Sequence, residues 1–333
     1  MTVPRRLIVN PTEPGWYHCV SRCVRRAYLC GNGCEHRRAW VVDRLRLLSS
    51  IFAVEIAAYA VMSNHLHVVV RLDPNASQGW SAEDVARRWL TAYGQESLDG
   101  SPQAPSPEAI TKAASDWAWI ATRRRRLGDL GWFMKSLKEP IARRANREDA
   151  VTGHFWEGRY RSTALLDEAA VLACIAYVDL NPIRAKLADR PEISEHTSIQ
   201  ARIQARQYHE AQAHQRGHAV SSIDSEADLW LWHFQDPRRG LRQTISAEAY
   251  VRLVDATGRC LRAGKRGVIS SDLAAVLQRL HLDVDAWLSA MAMGRQMRGT
   301  GLGHLTARAI EARRRGVGWV ANRSVLFGSE RAA

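Results

Sequence analysis

An apolar run, a tight polar turn and a second apolar run lie together at Ala58–Leu72, AYAVMSNHLHVVVRL, and no other stretch constrains the fold as much. Apolar runs on both sides of Ser63-Asn64 predict two antiparallel strands joined as a hairpin. Within a strand, residues two apart share a face, so His65 and His67 stand side by side about 6.5 Å apart. Two imidazoles so placed read either as half of a metal site or as a hairpin edge that happens to carry histidines.

A second stretch, Asp167–Leu187, reads DEAAVLACIAYVDLNPIRAKL. Its acidic start and its apolar residues at Val171, Leu172, Ile175, Ala176 and Val178 fit a helix ending or kinking at Asn181-Pro182. Tyr177 and Asn181 are four apart and share a helix face. They are a phenol nucleophile beside an oxygen ligand, or a core aromatic and a helix-terminal cap before proline.

Four motifs then occur in order: Gly15-Trp16-Tyr17-His18-Cys19-Val20-Ser21-Arg22, His65-Leu66-His67, Gly153-His154-Phe155-Trp156-Glu157-Gly158-Arg159-Tyr160, and Tyr177-Val178-Asp179-Leu180-Asn181-Pro182 with Arg184-Ala185. Together they resemble the HUH single-tyrosine transposases, and more nearly their REP-associated branch. The resemblance runs from Leu7 to Pro191 with an interruption. It implies a ferredoxin-like sheet, Tyr177 as the nucleophile of a 5′-phosphotyrosine intermediate, and single-stranded DNA near hairpins as substrate. The matching positions make His65, His67 and Asn181 ligands of a divalent cation. Two imidazoles and an amide oxygen suit Mn²⁺ by ligand type, while cellular supply favours Mg²⁺. His18 is set aside as a structural strand residue.

Charge points the same way. The chain carries 47 Lys and Arg against 34 Asp and Glu, a net +13, with a pI near 10.0. Such an excess favours a polyanionic partner, most simply nucleic acid, over a merely soluble basic surface. No segment approaches the roughly 20 apolar residues that span a bilayer. The N-terminus lacks the apolar core of a signal peptide, so the expected location is cytoplasmic. The 6 cysteines are then expected as reduced thiols. The spacing of Cys19, Cys23, Cys30 and Cys34 allows a zinc cluster, but small buried residues of a strand account for it better.

Along the chain, Trp16–Arg22 predicts a strand, 35–52 a helix, and Glu55–Met62 and His65–Leu72 two more strands. This order is half of a split βαβ, ferredoxin-like sheet. Residues 75–128 read as an insertion: a helix over Ser81–Tyr93, a Gly/Ser/Pro-rich linker over Gly94–Pro107, and a helix over Glu108–Arg126 ending in four arginines. A helix over Asp129–Arg147 follows, with a bend expected near Glu139 because of Pro140. Then come a strand over Arg159–Leu166 and the tyrosine helix. The fold class is therefore α+β: an antiparallel ferredoxin-like sheet with helices on one face over 1–195, followed by a basic, mainly helical region over 196–333. That last region reads as a DNA-binding or oligomer module, with helix-turn-helix character over 270–303. Candidate DNA contacts are Arg22, Arg25, Arg26, Lys135, Lys138, Arg143, Arg159 and Arg161. Phe155, Trp156 and Tyr160 lie among basic residues, a mixture that suits stacking on unpaired bases or simply covers the sheet.

Walker-type, GxSxG and HExxH motifs are absent. Two functions fit: a metal-dependent single-stranded DNA transesterase that cuts and rejoins near hairpins, or a DNA-binding repressor or structural factor that keeps the fold without the chemistry. Retention of both histidines, Tyr177 and Asn181 favours the first. A monomer and a homodimer exchanging tyrosine helices are both open.

Overall fold

The computed structural model describes residues 4–94, 103–216, 230–234, 245–262, 269–293 and 297–328. Residues 95–102, in the stretch read as a linker, lie outside the described residues. Among the described residues five strands form one sheet: β1 (Gly15–Arg22), β2 (Val54–Val61), β3 (His65–Leu72), β4 (Arg161–Leu165) and β5 (Gly301–Leu302). Their spatial order is β2-β3-β1-β4-β5. The hairpin forms where the sequence places it, with Met62 N–H donating to the His65 carbonyl at 2.8 Å. β1 pairs antiparallel with both β3 and β4, so Val20 lies opposite His67 and Arg22 opposite His65. β5 runs parallel to β4. The expectation of a wholly antiparallel sheet is corrected at that edge by two residues from the far end of the chain.

Strand alternation sorts the core into two layers. Leu66, Val68 and Val70 of β3 and Tyr17 and Cys19 of β1 point toward α2 (Arg37–Ile51) and α6 (Leu130–Glu148), where Val41, Leu45, Leu48, Phe133 and Leu137 meet them. Val69 of β3 and Ala58 and Ala60 of β2 point the other way, into α7 (Glu168–Asp179). Helices therefore cover both faces of the sheet, not one. The twelve residues of α7 are apolar on nearly all sides, because α10 (Ala247–Leu261) and α12 (Val284–Ala292) pack over its back.

Local chemistry sets the helix boundaries. α1 (Arg5–Ile8) is a single turn. Ser81 Oγ caps α3 (Ala82–Tyr93) by accepting from Asp84 N–H at 3.0 Å. The segment read as one helix over Glu108–Arg126 is two, α4 (Pro107–Ala114) and α5 (Trp117–Leu127). Asp116 ends the first and caps the second, accepting from Trp119 N–H at 2.9 Å. Pro140 does not interrupt α6. Proline has no N–H for the Ser136 carbonyl one turn back. Arg44 Nε of α2 donates to that carbonyl instead, at 3.0 Å.

Asp167 caps α7, which runs into a further turn, α8 (Asn181–Arg184). α9 (Ser198–Arg216), α11 (Ser271–Arg279) and α13 (Leu305–Arg315) complete the set. A buried carboxylate joins three of these helices. Asp179 accepts from Ser198 Oγ, from Ile199 N–H at 3.0 Å and from the Tyr250 hydroxyl, and burial raises its pKa to about 6. No helix among the described residues is long and apolar enough to cross a membrane.

Candidate active site

β1, β3 and α7 bring four aromatic side chains together. His18 of β1 and His67 of β3 share a sheet face, their rings stacked with centroids 5.1 Å apart. His67 Nδ1 lies 2.8 Å from His18 Nε2. His65, two residues back along β3, places its ring 4.9 Å from that of His67. Tyr177, on the third turn of α7, closes the group from above. Its ring centroid is 6.2 Å from His67 and 6.4 Å from His18.

Burial fixes the charge state. His18 and His67 are buried, and desolvation lowers His18 to a pKa of about 4 and His67 well below the ordinary imidazole value, with His18 and His65 adding repulsion. Desolvation, then Arg22 and Arg184, lower His65 to about 4. All three imidazoles are neutral at pH 7, the state in which a ring nitrogen offers a lone pair. Burial also raises the Tyr177 phenol, with the Arg184 guanidinium pulling in the other direction.

Two of the three expected ligands, His65 and His67, present neutral imidazoles held by hydrogen-bonded neighbours. Asn64 Nδ2 donates to the Arg26 carbonyl at 3.2 Å, which turns Asn64 Oδ1 toward His65 Nδ1 at 2.7 Å. His65 Nδ1 therefore carries the proton, and Nε2 bears the lone pair. His67 can use His18 in the same way, its Nδ1–H donating to His18 Nε2. Such outer partners are what orient metal-binding histidines. Asn181 is differently engaged. Its Nδ2 donates to the Tyr177 and Val178 carbonyls at 3.2 Å, and its Oδ1 accepts from Arg184 Nη2 at 2.6 Å. Among the described residues no cluster of three or more His, Cys, Asp or Glu side chains is arranged to hold a metal. Cys19, Cys23 and Cys30 are buried thiols, and Cys23 hydrogen-bonds Cys30.

Arg184 organises the tyrosine side. Its guanidinium carbon sits 3.9 Å from the Tyr177 ring centroid, and Nη1 donates to the Met291 carbonyl of α12 at 3.2 Å. Arg184 lies seven residues beyond Tyr177, two helical turns along one face, so the spacing that relates Tyr177 to Asn181 also reaches it. His18 carries a weaker signal. It becomes legible only once β1 is known to pair with β3.

The candidate DNA contacts fall into two groups. Arg22 ends β1 opposite His65, and Arg25 and Arg26 follow it, exposed, at φ 52° and 57°. Lys135, Lys138 and Arg159 line a cavity beside α6. Arg143, one helical turn further on, pairs with Glu139, and Arg161 is exposed at the start of β4. Phe155, Trp156 and Tyr160 are buried, covering the α6 edge of the sheet.

No family model and no curated protein matches the chain. Among solved structures, the chain is similar to one described as the structure of the REP-associated tyrosine transposase bound to a REP hairpin. That likeness has 12% identity, covers 61% of this chain and 86% of the other, and has a TM-score of 0.35.

Proposed function

We propose that the protein is a single-stranded DNA transesterase of the HUH type, with Tyr177 as nucleophile. The observation that carries this reading is the approach of Tyr177 to the paired imidazoles, at 6.2 Å between ring centroids, by two segments far apart in sequence. The strand order, with β1 between β3 and β4, supports a ferredoxin-like core beneath the site.

His65 and His67 would hold a divalent cation, Mg²⁺ or Mn²⁺, and Asn181 would join them once its Oδ1 leaves Arg184. Such a cation supplies charge relief on the non-bridging phosphate oxygens. The remaining steps belong to the chain. Tyr177 Oη loses its proton and attacks phosphorus, the bond to the 3′ oxygen breaks, and a 3′-hydroxyl leaves. The 5′ phosphate stays on Tyr177 as an ester, so a 3′-hydroxyl can reverse the step and join a strand without a nucleotide cofactor. Arg22, Arg25 and Arg26, at the His65 end of the sheet, meet the backbone phosphates.

A second reading keeps DNA binding without cleavage. It is favoured by the burial of Tyr177, which is 4% exposed, and by the engagement of Asn181 with Arg184. One experiment separates the two. Purified protein is incubated with labelled single-stranded hairpin DNA and Mn²⁺ or Mg²⁺, and resolved on a denaturing gel beside Tyr177→Phe and His65→Ala. Transesterase chemistry gives a metal-dependent protein-linked DNA band that both variants lose. Binding without that band across a range of hairpins selects the second reading.

A further inference from the structure

A cavity of about 690 Å³ opens between α6, the loop over residues 153–160 and Arg5. Its walls use the side of α6 that the sheet leaves free. Arg5, Lys135, Lys138 and Arg159 supply cations, and Trp132 and Tyr160 supply rings. Two carboxylates also line it, and both are engaged: Asp129 caps α6 through Trp132 N–H at 2.8 Å, and Glu139 pairs with Lys135 and Arg143. The cavity is thus net positive and aromatic, within the size range of small-molecule and nucleotide sites.

Cations and rings alternate outward from it. Arg5 lies 4.4 Å over Tyr160, and Lys138 lies 5.5 Å from Trp156. Trp132 carries Lys135 at 4.8 Å and Arg126 at 4.2 Å. Arg126 is also 5.7 Å from Trp89, which Arg123 approaches at 5.6 Å while lying 4.4 Å over Trp119. The row runs from the cavity onto α3 and α5. Lys135 is 54% exposed, so it can leave the Trp132 ring for a phosphate while a base takes its place. Lys138 is held more tightly, donating to the Gly158 carbonyl at 2.7 Å. Burial, with the Arg5 guanidinium nearby, lowers its pKa to about 8.

The cavity loop also meets the end of β1. Glu157 N–H donates to the Arg22 carbonyl at 2.8 Å, and Arg22 pairs with His65. Two strand spacings, about 10 Å, separate that loop from β3.

We propose that this cavity binds single-stranded DNA, seating one unpaired base against Trp132 with the adjoining phosphates on Lys135, Lys138 and Arg159. Duplex DNA keeps its bases stacked and cannot fill a concave aromatic pocket, whereas an unpaired base can, at no cost in base pairing. The site deepens the DNA reading above and rests on it for the identity of the polyanion. It does not depend on Tyr177 chemistry.

Binding is measured by fluorescence anisotropy with a short labelled unpaired DNA oligonucleotide across a salt series, using the full chain carrying Tyr177→Phe so that nothing is cut. Adding Trp132→Ala weakens binding about tenfold, and Trp132→Phe recovers most of it. Lys138→Gln lowers the slope of log affinity against log salt by about one. Affinity for duplex DNA changes in neither variant. Because Lys135 is exposed, Lys135→Gln tests the same prediction with no risk to folding. Unchanged affinity and salt slope in the Trp132→Ala and Lys135→Gln proteins overturn the site, as does tighter binding of the matching RNA. A protein-linked band from the Tyr177 protein alongside unaffected cavity variants leaves the transesterase reading standing and removes this one. Trp132-dependent binding without any such band does the reverse.

Discussion

β3 shows two chemistries on its two faces. Leu66, Val68 and Val70 enter a dry layer against α2 and α6, while His65 and His67, one residue out of phase, meet His18 and Tyr177. Both faces are buried, yet only one keeps polar atoms, and it keeps them by pairing: Asn64 on His65, His18 on His67, Arg184 on Asn181. An unpaired buried polar group is costly. These three pairs hold side chains of the polar face in position. A substitution on the apolar face should be felt as lost stability, and one on the polar face as lost function.

The largest expected effect breaks the polar face. His67→Ala should lower metal-dependent adduct formation by about 10³-fold or more, read on the denaturing gel. The facing comparison is Leu66→Ala, which should cost about 2–5 kcal/mol of stability in urea unfolding. Its adduct yield per folded molecule should stay unchanged. Loss of activity in the folded Leu66 variant would show that the two faces are not separable. His18→Gln is a smaller perturbation on the polar face, removing an orienting partner rather than a ligand. It should weaken metal affinity about 10–100-fold, measured by Mn²⁺ titration of DNA cleavage.

Acidification tests the same network through stability. His18 and His65 have folded pKa values of about 4 against 6.5 unfolded. Between those values the unfolded chain binds more protons, so stability is present above pH 6.5 and is lost as pH falls toward 4. Asp179 works in the opposite sense, its pKa raised from 3.8 to about 6, so that protonation on folding adds stability over part of that window. With His67 shifted in the same direction as the other two imidazoles, three groups outweigh one. The melting temperature should fall from pH 6.5 to 4.5, and His65→Asn should flatten that fall. A melting temperature that rises on acidification would place Asp179 in control. The smallest effect lies on the surface: removing the exposed Arg206–Glu210 pair of α9 with Arg206→Ala should cost about 0.5 kcal/mol or less.

How much of this was legible in the sequence follows from the range of the interactions. The His-x-His face and the Tyr177–Asn181 face are short-range periodicities, and β3 begins and ends where the apolar pattern does. The break between α4 and α5 was also written locally, in Asp116, but the helical pattern on either side obscured it. Other features depend on partners distant in sequence. The donor that the Ser136 carbonyl finds in place of a Pro140 N–H belongs to Arg44, 92 residues away. The contact of His18 with His67, 49 residues away, depends on the β1–β3 register, which sets the two diagonally on one sheet face. β5 is too short for periodicity to detect, and it exists because β4 offers it an edge.

The Arg184–Met291 contact has a consequence for how the molecule comes into being. During synthesis, β1 to α8 leave the ribosome more than a hundred residues before Met291, and β5 later still. Until α12 arrives, Arg184 lacks the carbonyl that anchors its Nη1 beside the Tyr177 ring. The phenol is thus set in place only once α12 has been made, and a chain cut before α12 carries the four motifs without the finished arrangement around them.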